Sequence, residues 1–421
     1  MKPRVAVVGG GWAGCAAALT LAEAGVPVTL FEAARTLGGR ARAVELEGAR
    51  LDNGQHLLLG AYAQTLALIG RLQPEAEVLW RLPLTLEQPP DFRLACPRLP
   101  APLHLAAGLL AARGLGGAEK WAAVRWAASL IRSPSRPLPG SVADLTRAQP
   151  EKLNRLLWHP LCVSALNTLP GEASAQVFAD VLRAAFGGRR HDSDLLLPRR
   201  DLGALLPLPA AARVAALGGD IRLGQRVDTL DVDAHGVNLA TGDSRERYSH
   251  VLVAVAPQHL AGLAPGVDAL AAAAADVARY AYRPIATAYV QYDAAFRLPA
   301  PLYALDGGPA QFVFDRGPSH GQAGLVAFVA SAASNLAGDW VAQAEAQLRR
   351  IADPGPARWR RRIVEKQATY ACVPGMARPG VRTPHPRVFL AGDYTAGPYP
   401  ATLESATTSG VQSAASLLES L

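Results

Sequence analysis

The apolar residues divide the chain into segments of different period. Residues 4–8, RVAVV, form a short β-branched run, which predicts a buried parallel strand. GGGWAG follows. CAAALTLAEAG then reads as a helix of small residues ending near Gly25, and PVTLFE as a second strand closing on Glu32. From Leu79 to about Leu206, and again from Ala281 to Gln367, the pattern changes. APLHLAAGLLAARGLGGAEKWAAVRWAASLIRS has helical apolar faces, whereas RPIATAYVQYDAAF and GLVAFVASAAS alternate with period two and predict strands that floor a cavity. Between these blocks, residues 217–257 alternate strand signals with Gly turns. They predict a meander that returns the chain to the first sheet and leaves it through VLVAVAP at Pro257. RVFLAGDYTAGPYPATLESATTSGVQSAASLLESL closes the chain as strand, turn and terminal helix.

The glycines give the first segment a chemistry. Strand, Gly9-x-Gly11-x-x-Gly14, helix, strand and an acidic end residue, Glu32, is the order a dinucleotide-binding βαβ unit requires. Gly9 makes the tight turn, Gly11 lets the backbone approach a pyrophosphate, and Gly14 lets the helix pack on the sheet. Glu32 accepts hydrogen bonds from both ribose hydroxyls and disfavours a 2′-phosphate. At the far end, Gly392 and Asp393 stand at the C-terminal edge of a strand, where ligands bind in open α/β sheets, and a helix begins around Ala401, Thr402 and Leu403. The predicted fold class is α/β: a discontinuous Rossmann-like nucleotide domain, residues 1–78, 207–280 and 368–421, with an interleaved α+β substrate domain, residues 79–206 and 281–367. No second strand–G-x-G-x-x-G–helix unit occurs, so one nucleotide site is expected; if a flavin fills it, no NAD(P)H site is visible and electrons arrive from an external donor.

Composition changes little in this picture. The 421 residues are half apolar and 18% charged, with net charge +7 and pI near 9.4, which marks a globular chain that is mildly basic. That balance suits an anionic membrane surface, while no Lys/Arg block interleaved with aromatics suggests nucleic acid. The four scattered cysteines fit a reducing compartment and no zinc site. MKPR before an uncharged stretch imitates a signal segment, but Gly9, Gly10, Gly11 and Gly14 would weaken a membrane helix and sit where a strand-to-helix turn needs them. The expectation is a cytoplasmic protein, peripheral at most on the inner face of the membrane.

Three further stretches carry candidate chemistry. LDNGQHLLLGAY places Asp52, Asn53, Gln55 and His56 together. Two ligands are too few for a metal. The block either hydrogen-bonds a loop beneath a cofactor or places Gln55 or His56 beside a substrate, His56 being the best local proton donor. LWHPLCVSALNT sets His159 before Pro160, which favours an extended or turn conformation and either a structural or a pocket-lining role. Cys162 there reads as core. The helical stretch with Arg113, Lys120, Trp121, Arg125 and Trp126 reads either as a lid packed on the core or as a membrane-dipping entrance with a basic rim. RWRRR, Arg358 to Arg362, reads as a solvated face.

LGGRAR, with Gly38, Gly39 and Arg40, resembles the loop that contacts the pyrophosphate and ribityl chain of FAD in amine oxidase- and carotenoid desaturase-like flavoproteins. Taken with LDNGQHLLLGAY, WHPLCVSALNT and FLAGDYTAGPYPATLESATTSG, nearly the whole chain resembles the hydroxysqualene dehydroxylase family of FAD-dependent oxidoreductases from bacterial hopanoid clusters. The resemblance implies FAD as cofactor, with the backbone of Val227 on the adenine, Arg40 on phosphate, Asp393 on ribityl hydroxyls, and the N–H groups near Ala401–Leu403 facing the isoalloxazine. It implies reduction of the C30 isoprenoid hydroxysqualene to squalene with loss of water, downstream of two synthase-like enzymes. The proton donor is then His56, with Gln55 beside it and His159, Tyr394 and Glu404 as rivals. The same architecture also serves oxidative carotenoid desaturases, amine oxidases and non-enzymatic prenyl-binding proteins.

Overall fold

β1 (Val5–Val8) lies at the centre of a five-stranded parallel sheet in the computed structural model of the chain, which describes residues 3–132, 137–263, 265, 267–334, 336 and 338–421. All four β1 residues are buried, as a strand covered on both faces requires. β2 (Val28–Glu32) flanks β1 on one side, with Val5 opposite Val28, and strand His250–Val253 flanks it on the other. Asp220–Leu223 extends the sheet beyond β2, and Val388–Leu390 extends it beyond His250–Val253. Five strands from three separate parts of the chain thus build the one expected nucleotide layer.

Helix α1 (Trp12–Glu23) covers this sheet and is buried along nearly its whole length. Its small residues permit this. A Cβ at Gly14 would stand 1.8 Å from the Gly9 carbonyl oxygen, and one at Gly410 of the terminal helix Leu403–Leu418 would stand 2.2 Å from the Ala13 carbonyl. Backbones therefore meet where side chains would separate them. The residues that imitate a signal segment fold as β1, turn and α1.

The second layer is a five-stranded antiparallel sheet in the order Leu302–Ala304, Phe312–Asp315, Leu325–Ala330, Tyr282–Gln291, Trp359–Tyr370. Two of its strands are the period-two segments. Trp359–Tyr370 is the edge strand. Arg358, just before it, and Arg360 and Arg361 at its start are exposed and paired with Asp293, Glu345 and Glu47, which charges the edge. A three-stranded meander, Thr229–Asp233, Gly236–Thr241 and Ser244–Tyr248, occupies the place expected for it.

Helices close the remaining side: α2 (Ala63–Leu72), α3 (Leu103–Ala111), α4 (Gly117–Arg132), His159–Leu166 and Ala175–Phe186. One expectation fails here. His159 is not extended; it is helical, and it follows a π-helical turn over Asn154–Trp158. Pro160 offers no N–H and its ring crowds the carbonyl four residues back; the wider π turn accommodates both. Among the described residues, no helix is long and apolar enough to cross a membrane.

Candidate active site

A cavity of about 1200 Å³ runs from the C-terminal edge of the parallel sheet to the face of the antiparallel one. It exceeds the roughly 300–1,000 Å³ of ordinary ligand pockets, leaving room for a cofactor and a second molecule. Its two ends differ in character.

At the polar end the backbone turns through Gly9 (φ +112°) into α1, whose N-cap, Gly11, offers no side-chain cap. A Cβ at Gly11 would meet nothing within 4 Å, whereas one at Gly9 would lie 2.6 Å from the Ala254 carbonyl oxygen. Gly9 and Gly14 are therefore required by the protein's own packing, and Gly11 keeps space open for a ligand at the helix N-terminus. Glu32 accepts from the N–H of Gly10 (2.6 Å) and of Ala34 (2.7 Å). A carboxylate has about four lone-pair sites, so acceptor capacity remains for ribose hydroxyls. Val227 lines the cavity, and its N–H has no partner among the described residues. Gly38 donates to the Gly10 carbonyl (2.9 Å), and Trp12 Nε1 donates to the Ala41 carbonyl (3.3 Å), so the Gly38–Gly39 loop is tied to the start of α1.

Arg40 lines the cavity and is also tied to the protein. Its guanidinium donates to Asp393 Oδ1 (2.7 Å) and to the Ala368 carbonyl (2.8 Å). Burial disfavours its charge, yet Asp393 outweighs that and holds its pKa above the ordinary value. Both residues line the cavity as one neutral pair. Behind them, Tyr370, Arg378 and Ser405 all donate to the Asp393 carbonyl. Gly392 is fixed by Ser409 Oγ, which accepts its N–H at 2.9 Å. The terminal helix begins at Leu403, with Thr402 as N-cap and Ala401 beside it on the cavity wall. These features together fit FAD: an uncapped helix end, an acidic residue at the ribose position, an unpartnered N–H on the meander and a second helix N-terminus at the far side.

The block 52–56 is a junction between this end and the apolar one. Asp52 is buried and faces away from the cavity. It accepts from Leu202 N–H (2.8 Å) and stands 3.4 Å from the fully buried Arg316 guanidinium. Burial pushes its carboxyl pKa up, opposed by Arg316 and by the Leu202 N–H. Arg316 also donates to Gln55 Oε1 (2.6 Å), and Gln55 Nε2 donates to the His56 carbonyl (3.2 Å). The Gln55 amide is thus engaged at both ends, as a tie rather than as a proton donor. Asn53 donates to Glu365 (3.0 Å) and to the Arg40 carbonyl (3.1 Å).

His56 lies on the cavity wall with Nδ1 2.6 Å from the Gly54 carbonyl, so Nδ1 carries the proton, and Nε2 has no partner among the described residues. Burial lowers its pKa, against the Gly54 carbonyl and the Asp52 charge.

The other proposed acids are not brought together with it. His159 is half-buried near Thr146 Oγ1 (3.5 Å) and does not line the cavity. Tyr394 packs in the core behind Gly392, fully buried, away from the cavity, and burial pushes its pKa up. It follows Gly392–Asp393, where the chain turns back, and its ring fills the space a Gly392 side chain would need. Glu404 is buried, accepting from the N–H groups of Gln64 and Thr65 (2.9 Å each) at the start of α2.

Residues to which the sequence alone assigned no role complete the walls. Tyr62, in edge contact with Tyr399 (5.9 Å between centroids), lines the cavity one residue beyond the GA of the block already singled out. Glu365, Gln367 and Thr369 line it from one strand, and their period-two spacing was the available signal. Asn167, left-handed at φ 48°, caps helix His159–Leu166. It donates to Thr369 Oγ1 (3.0 Å) and accepts from Ala332 N–H (2.6 Å), which joins the helical layer to the sheet. Beyond these the lining turns apolar, with Leu84, Leu86, Leu182, Phe186, Phe312 and Phe314.

The model of the flavin containing amine oxidoreductase family matches residues 12–418. The chain belongs to that family. As a flavin amine oxidoreductase-type protein it is an FAD-dependent oxidoreductase. Among relatives, it is 28% identical over 443 residues to the hydroxysqualene dehydroxylase of Rhodopseudomonas palustris and 26% identical over 435 residues to that of Sinorhizobium fredii, with 98% of each chain covered in both cases. A solved structure of putrescine oxidase superposes with TM-score 0.73 at 18% identity, covering 99% of both chains, which establishes the shared fold.

Proposed function

We propose that the chain reduces hydroxysqualene, a C30 isoprenoid alcohol, to squalene and water. The carrying observation is the apolar chamber that opens directly off the polar end of the cavity between Leu84, Leu86, Leu182, Phe186, Phe312 and Phe314. A polar or cationic substrate would be poorly solvated there, whereas a long hydrocarbon would be buried on all sides. Full-length similarity to two proteins named hydroxysqualene dehydroxylase supports the same choice.

The balance is R–OH plus hydride plus proton giving R–H plus water. When bound, reduced FAD supplies the hydride, its electrons coming from an external donor. The residues of the chain do the rest. The apolar walls hold the carbinol carbon in a dry site, which protects a cation formed on departure of water. Hydroxide leaves poorly, so the oxygen must be protonated as it departs. His56 is a group on the cavity wall that can do this from Nε2 once its ring is protonated. Burial weakens its hold on a proton, which makes the imidazolium a stronger acid. Synthase-like enzymes joining two C15 diphosphates would supply the substrate.

The test is anaerobic incubation of the reduced holoprotein with hydroxysqualene, followed by mass analysis of the lipid extract. Squalene formed in proportion to reduced flavin supports the reading. Unchanged hydroxysqualene, with phytoene or an amine consumed by the oxidised protein instead, removes it.

A further inference from the structure

Helix α3 is apolar on its outer as well as its inner face. Its one polar side chain, His104, points inward, 1% exposed and 3.0 Å from Ser193 Oγ, while Leu103 and Leu110 are 60% and 39% exposed. Leu103, Ala107 and Leu110 recur at helical spacing, so the outward stripe is apolar. Leu99, just before α3, and Trp121, on the exposed face of α4, are also exposed, at 41% and 59%. A surface helix facing water would carry its polar residues on that side.

Two independent features say what covers this face. The first is charge. Residues 97–132 contain Arg98, Arg113, Lys120, Arg125 and Arg132 but a single acid, Glu119. The arginines are exposed, and Arg125 and Arg132 share the outer face of α4 with Trp121. The second is what lies beneath. Leu105 and Leu109 of α3 and Trp126 and Leu130 of α4 line a separate cavity of about 30 Å³ with only apolar walls. Leu84, Leu86, Leu161, Leu182 and Phe186 border both this cavity and the large one.

We infer that α3 and the exposed face of α4 form a docking surface for an anionic lipid bilayer. The docking surface does not rest on the proposed isoprenoid substrate. Apolar side chains enter the acyl boundary while the arginines and Lys120 meet headgroup phosphates, the arrangement of an interfacial helix without a transmembrane span.

The experiment is flotation of the FAD-loaded protein with vesicles of phosphatidylcholine and phosphatidylglycerol, and with phosphatidylcholine alone, at low and high salt. The protein should float with the anionic vesicles at low salt and far less in the other conditions. Arg113→Gln, Lys120→Gln and Arg125→Gln should each lower partitioning about fivefold at most. Leu103→Ser with Leu110→Ser and Trp121→Ser should lower it by an order of magnitude or more, with flavin content and turnover of detergent-dispersed substrate kept. Wild-type protein that stays at the bottom at low salt overturns the inference, as does a triple variant that floats equally well. Light scattering that shows a dimer lost in the triple variant assigns the face to a second copy instead. Flotation together with unchanged hydroxysqualene would leave the docking surface standing and remove the substrate.

Discussion

Arg40 and Asp393, 353 residues apart in sequence, are joined at 2.7 Å in the wall of the large cavity. The pair ties the N-terminal and C-terminal parts of the chain together, and its two charges cancel at the cavity wall. Removing one partner leaves the other charge nearly buried without compensation. Arg40→Met and Asp393→Asn should each cost roughly 3 kcal/mol of stability, with the double variant less affected than the two losses summed. Denaturant melts of the four proteins test this coupling; additive losses would mean that the pair is not a unit.

Gly11 and Gly14 should respond in opposite ways to added side chains. Gly11→Val places its Cβ where no protein atom lies within 4 Å, so the variant should fold with an unchanged circular dichroism spectrum but purify without flavin absorbance. Gly14→Val instead drives a side chain into the Gly9 carbonyl and should not yield folded protein. Full flavin content in Gly11→Val would place the pyrophosphate elsewhere.

His56→Ala should keep its flavin and accept electrons normally, yet turn over hydroxysqualene slower by on the order of 10² to 10⁴. Because burial lowers the pKa of His56, the imidazolium is scarce at neutral pH. Single-turnover rates of the parent protein should therefore rise as pH falls below the ordinary histidine range, and the variant's should not. Equal slowing with a generic electron acceptor would show that His56 positions the flavin and is not the acid.

His320 gives a stability prediction of definite sign. Its ring is nearly fully buried, 3.9 Å from Asp52, and burial together with Arg316 lowers its pKa to about 3, so it is neutral despite that carboxylate. A depressed histidine pKa stabilises the fold above the unfolded value near 6.5. The contribution is lost as pH falls from there toward 3, at up to about 1.4 kcal/mol per pH unit. Melting temperatures of His320→Gln should fall less steeply with acid over that window; parallel curves would exclude this source.

The nucleotide half was legible because its signals are local. Gly9, Gly11, Gly14 and Glu32 lie within one βαβ unit, and the meander and the strand before Gly392 carry their own turns. The site's chemistry was less legible because it depends on contacts between distant segments. Nothing near Asp52 announces that Arg316, 264 residues on, will take its charge, or that Arg40 will bind Asp393. Tyr394 and His159 are polar residues in promising motifs, but whether a side chain faces a cavity or the core is decided by packing. The period-two spacing of Glu365, Gln367 and Thr369 was readable, yet it needed the partner sheet to show which face mattered.

The order of strands in the parallel sheet bears on how the protein is made. Val388–Leu390 completes that sheet beside His250–Val253, and Glu404, farther on still, holds the start of α2. A ribosome must therefore deliver more than nine-tenths of the chain before the first layer can close. Until then His250–Val253 has an open edge and α1 lacks the helix that covers Ala13, a state prone to pairing with other chains. Chains broken off before residue 388 should therefore lack a closed sheet and accumulate as aggregates.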